Sequence, residues 1–147
     1  MEVEPRTQKP KAGKKKVALV LGILSYVFIP FHLGLSYISG GGIGYAFEIF
    51  SQAGGNDLNG LANAIGGFFI LIVFGIGFLA WFVLFLLQTI FSIVQFALSK
   101  RPFNIITFVF GLLCSFASIF FFILGIIQGE GAIQAIVDWL KSFQPSP

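Results

Sequence analysis

Chemistry at neutral pH needs ionisable or nucleophilic side chains within reach of one another, and this sequence keeps them apart. His32 is the only histidine and Cys114 the only cysteine, and each lies in a long stretch without charge. Glu48 and Asp57 stand nine residues apart with no histidine, lysine or arginine between them. No serine–histidine–carboxylate set can assemble from such a scatter. A zinc site needs three or four His, Cys or carboxylate ligands, so His32 alone predicts none. Gly40-Gly41-Gly42 with Gly44 is glycine-rich, but no Lys-Ser/Thr pair follows it, as a phosphate-binding loop would require. The run reads as a flexible exit from a helix. These residues predict no enzyme, no cofactor and no metal.

What remains is a set of uncharged polar groups at regular spacing. Gln88, Ser92, Gln95 and Ser99 follow one another in steps of four, three and four, with Gly77 upstream. Gly22, Ser25, His32, Ser36 and Ser39 form a similar series, and so do Asn104, Thr107, Gly111, Ser115, Ser118 and Gly125. Steps of three and four keep residues on one face of a helix. Three helices are therefore predicted, each with one small-or-polar stripe on an otherwise apolar surface. His32, Gln88, Ser92, Gln95, Ser99 and Asn104 are the candidates for helix packing or for lining a pore. For His32 the expected partners are the hydroxyls of Ser25 and Ser36, or a group on another helix. No carboxylate, lysine or arginine lies within the stripes, which argues against an ion-coupled pump or transporter. Cys114 reads as a small buried apolar group.

Stepping from stripes to elements, the chain has 147 residues, 56% hydrophobic and 10% charged, with 20 Phe and 18 Gly. Soluble domains carry about 25% charged residues, so a soluble enzyme, a disordered regulator and a disulfide scaffold are excluded. A membrane span takes about 20 apolar residues. Residues 17–38, 61–99 and 103–127 meet that length without charge. The middle run would be about 58 Å long as one helix. A hairpin there would need a turn, and Phe78 to Ser92 contain no Pro, Gly, Asn or Asp. Irregular backbone cannot face lipid, so one long helix is predicted. Pro30 should kink the first span. The fold class is an all-α integral membrane protein with three transmembrane helices, the middle one long. A short interfacial helix at residues 43–52 is expected in the outer loop 39–60, with Asp57 or Asn59 capping the long helix. An amphipathic helix is expected near the C-terminus. There Ile133, Ile136, Val137, Leu140 and Phe143 oppose Glu130, Gln134, Asp138 and Lys141, with Trp139 anchoring at the interface.

Charge sets the orientation. Residues 1–16 hold Arg6 and five lysines against Glu2 and Glu4, and Lys100-Arg101 precede Pro102. The loop 39–60 has neither lysine nor arginine. Basic loops stay in the cytoplasm, which puts the N-terminus inside and the C-terminus outside a cell membrane. The domains are then a disordered basic tail at 1–16, a three-span domain at 17–129 and an interfacial segment at 130–147. Lys14, Lys15, Lys16, Lys100 and Arg101 are candidates for lipid head groups. The expected partners are the bilayer and either further copies or a larger membrane complex. Nucleic acid is not expected, because no folded scaffold presents the charges.

These features predict a non-enzymatic structural or accessory membrane subunit acting through helix packing. A protein that guards its own membrane against a toxin belongs to the same class. The alternative is a pore- or pilus-forming subunit. Residues 61–127, two apolar helices joined at Lys100-Arg101-Pro102 behind a cleavable leader, resemble the layout of type IV secretion pilins. A holin-like pore would use the Gln88–Ser99 face as its lining.

Overall fold

The computed structural model describes residues 12–54 and 58–143. Four helices follow in order: α1 (Ala12–Ser51), α2 (Leu58–Leu98), α3 (Pro102–Gln128) and α4 (Glu130–Lys141). The first three are long and apolar enough to cross a membrane. A chain in hydrocarbon must satisfy each backbone N–H and C=O within its own segment, and these runs do so as helices. At about 1.5 Å per residue, α1 and α2 are each about 60 Å long and α3 about 40 Å. The middle run is a single helix, as its lack of turn residues predicts.

α1 is the central element, lying along both α2 and α3, which touch each other less. It is also longer than expected. Residues 12–16, read as part of a disordered tail, are its first turns, while residues 1–11 lie outside the described segment. It runs unbroken through Pro30, past residue 38, and takes in the segment expected to form a separate helix at 43–52. Asn59 falls within the first turn of α2, and Asp57 lies outside the described residues.

The physical reason for the continuous helix lies in its glycines. Glycine costs about 1 kcal/mol in a helix relative to alanine, and close packing offsets that cost here. A side chain at Gly40 would run into the carbonyl oxygen of Phe122, and one at Gly44 into that of Ile126. From the other side, a Cβ at Gly125 would stand 2.5 Å from the Tyr37 carbonyl oxygen and 2.7 Å from the Gly41 nitrogen. The ring of Phe74 on α2 fills the space a side chain at Gly42 would occupy. The segment read as a flexible exit is thus the tightest helix–helix contact in the bundle.

Gly129 separates α3 from α4 with φ 49° and ψ −118°, the one positive φ among the described residues. The turn folds α4 back onto α1. Ala132 is fully buried, its Cβ 2.7 Å from where a Cβ on Gly41 would sit. The Glu48 carboxylate, from α1, takes the position of a side chain at Gly129 and accepts a 3.2 Å hydrogen bond from the Glu130 backbone N–H. A carboxylate there complements the positive end of the α4 dipole. Trp139 and Leu140 near the end of α4, and Phe143 just beyond it, are exposed.

Candidate functional site

The bundle is polar inside and apolar outside. Ser25, His32, Ser36, Ser39, Gln88, Ser92, Gln95, Ser99, Asn104, Thr107, Ser115 and Ser118 are all buried. Apolar side chains such as Phe31, Phe69, Ile76, Phe116 and Ile127 point outward. Lipid is as apolar as leucine, so apolar groups gain nothing by turning inward, and small or polar groups bring the helices together.

The interior divides into three levels. At the end shared by Lys15 and Arg101, Gln95 Nε2 donates to Asn104 Oδ1 at 3.1 Å, and Asn104 Nδ2 donates to the Ser99 carbonyl at 2.9 Å. Gly22 of α1 leaves room for this amide pair, since a Cβ there would sit 2.6 Å from Gln95 Nε2. In the middle, Gly111 of α3 faces Ser92 and Gln88 of α2.

His32 marks the third level. Its Nε2 lies 3.2 Å from Ser118 Oγ. The Ser118 hydroxyl donates to the Ser115 carbonyl at 2.8 Å, so it accepts from His32 Nε2–H, a tautomer assigned from this network. The partner of His32 is therefore on α3. Ser36, an expected partner, donates instead to the Leu33 carbonyl, and Ser25 has no partner. The imidazole stacks 6.2 Å from the Trp81 ring, which lies 4.9 Å from the Phe122 ring at an interplanar angle of 3°.

Among the described residues, eight buried polar atoms in this interior have no hydrogen-bond partner: Ser25 Oγ, His32 Nδ1, Ser39 Oγ, Trp81 Nε1, both amide atoms of Gln88, Ser92 Oγ and Gln95 Oε1. An unmet buried group costs about 1–3 kcal/mol, which makes this column the strained part of the bundle. Donors and acceptors are mixed, and carboxylates and cations are absent from it. The column can form hydrogen bonds, and His32 is its one imidazole. Among the described residues, no three His, Cys, Asp or Glu side chains group as a metal site would require.

The structure gathers the packing candidates His32, Gln88, Ser92, Gln95, Ser99 and Asn104 in the interior. It divides the head-group candidates. Lys15, Lys16 and Arg101 line one pocket at an end of the bundle, whereas Lys14 and Lys100 lie outside that lining; all of them but the half-buried Lys15 are exposed. Sequence reasoning passed over Trp81, although it stands seven residues before Gln88 and extends the same stripe. It also passed over the packing role of Gly40 and Gly44, whose four-residue spacing is a known sign of close helix approach. Comparison with protein-family models, with curated proteins and with solved structures finds no match.

Proposed function

We propose that this protein is a non-enzymatic multi-pass membrane protein that acts through helix packing. It serves as a structural or accessory subunit within a larger complex or an oligomer of its own chain, and guarding a membrane against a toxin falls under the same mode of action. One observation carries this reading: the chemistry-bearing side chains of the spans are turned into the bundle, and the surface left for others is apolar. Gly34, Gly66 and Gly75 have open space around them, and bare backbone of this kind lets another helix approach closely. A pore lined by Gln88, Ser92, Gln95 and Ser99 fits less well, because these side chains are buried within a single chain.

The N-terminus is assigned to the cytoplasm and the C-terminus to the outside of a cell membrane. Lys15, Lys16 and Arg101 meet at one end of the bundle, and Glu48 meets α4 at the other. The positive-inside rule orients that asymmetry.

The deciding experiment is isolation in mild detergent with mass determination. The expected species is an assembly larger than the 16.0 kDa chain, dispersed by Gly34→Leu with Gly75→Leu. A monomer under every mild condition, with no companion protein, would overturn the reading. Ion leakage from liposomes carrying the protein, abolished by Gln88→Leu with Gln95→Leu, would favour the pore.

A further inference from the structure

The α2–α3 turn and the first turns of α1 border an open pocket of about 270 Å³, lined by Lys15, Lys16, Leu19, Arg101, Phe103 and Asn104. Its three cations come from opposite parts of the sequence. Among the described residues the one ion pair joins Lys141 to Asp138, so no carboxylate there neutralises Lys15, Lys16 or Arg101. Lys16 and Arg101 are exposed and Lys15 is half-buried, so solvent screens part of their mutual repulsion, while an anion entering between them is attracted to all three. Arg101 is also the residue preceding the first turn of α3, extended at φ −76° and ψ 152°, and no side chain caps that turn. The helix dipole adds to the positive field there. Asn104 is already engaged, through Gln95 and the Ser99 carbonyl, and acts as the floor of the cavity rather than as a ligand.

The remaining walls are apolar. Leu19 is 50% exposed and Phe103 44% exposed, and both lie where the charge-free runs begin. A cavity with cations on one side and hydrocarbon on the other matches an amphiphile at the membrane boundary. Another cavity, about 410 Å³ and lined by Leu33, Gly34, Tyr37, Phe121 and Leu124, has no charged group in its lining.

We propose that the cationic cavity is a binding site for one anionic phospholipid. Lys15, Lys16 and Arg101 surround its phosphate, with the guanidinium able to pair two oxygens at once. Leu19 and Phe103 lie against the first methylenes of its chains. Basic pockets between helices hold anionic head groups in this manner. The site is separate from the packing role proposed above, and it stands or falls by itself.

The test is native mass spectrometry of the full chain in an uncharged detergent, titrated with phosphatidylglycerol and with phosphatidylcholine. Phosphatidylglycerol is expected to bind preferentially. Lys15→Gln with Arg101→Gln removes two charge-assisted contacts to the phosphate and is expected to weaken that binding at least about thirtyfold. Lys14→Gln with Lys100→Gln removes the same charge outside the pocket, where solvent screens it, and is expected to weaken binding less than about threefold. Thermal midpoints check that both variants stay folded, and Lys16→Gln with Arg101→Gln replaces the first pair if it does not. Equal losses in the two double variants would reduce the effect to diffuse surface charge and overturn the site. Equal binding of the two lipids would overturn it as well. Displacement of the lipid by inorganic phosphate alone would assign the cavity to a soluble phosphate and also overturn the proposal.

Discussion

Gln88 and Gln95 are seven residues apart on one helix, and both are fully buried, yet their circumstances differ. Gln95 has a partner in Asn104, while neither amide atom of Gln88 has one. Gln88→Leu therefore removes an unmet group of about 1–3 kcal/mol, and the variant is expected to unfold at higher denaturant than the native chain. Gln95→Leu strands the Asn104 oxygen and is expected to destabilise. In a double-mutant cycle with Asn104→Leu the pair should couple by about 0.6 kcal/mol and not above about 1.7. Glycine gives a sharper contrast. Gly125→Leu drives a side chain into the α1 backbone and is expected to cost about 3 kcal/mol, the upper end for overpacking, whereas Gly34→Leu, with open space around it, leaves the stability of the isolated chain nearly unchanged. SDS-induced unfolding measures each of these variants. That His32, Gln88, Ser92, Gln95, Ser99 and Asn104 share an interior was legible from three- and four-residue steps. Which of them pair was not, because Gln95–Asn104 and His32–Ser118 depend on how helices are set against each other.

The elements were legible where hydrocarbon dictates them. Charge-free runs without turn residues can only be helices there, and α2 and α3 follow. α1 was legible in its first half alone. Its glycines are poor helix formers in isolation, and only the carbonyls of Phe122 and Ile126 explain why the helix continues to Ser51. α4 was foreseen as an apolar-faced helix, but its return to Gly41 depends on Gly129 and Glu48. Gly129→Ala places a side chain at a left-handed φ and against the Glu48 carboxylate. The expected result is a loss of at least about 1 kcal/mol from α4 docking. Glu48→Gln keeps the hydrogen-bond acceptor but loses the charge facing the helix dipole, and the expected loss is about 0.3–1 kcal/mol. Hydrogen exchange across Glu130–Lys141 reads both: faster in the alanine variant than in the glutamine one, with α2 unchanged.

For the whole molecule, orientation makes the most direct prediction. Cys114 is buried, so it is not expected to compete for label with a cysteine introduced at position 57. An impermeant maleimide is expected to reach it from outside intact cells, and labelling confined to the cytosolic side would reverse the assigned topology. The location of the basic groups could be read from the sequence, but their convergence on one cavity could not, since Lys16 and Arg101 meet only after three helices have packed. The helices also differ in height. Exposed apolar side chains on α2 run from Leu58 to Val94, about 54 Å along its axis. A lean of about 40°, the upper end for membrane helices, still leaves this band about 41 Å tall against a hydrocarbon layer of about 30 Å. The 27-residue α3 can be accommodated by leaning alone. Lipids beside α2 must therefore stretch while those beside α3 need not, so the chain would favour the thicker, more ordered regions of its membrane and deform the thinner ones unevenly around its circumference.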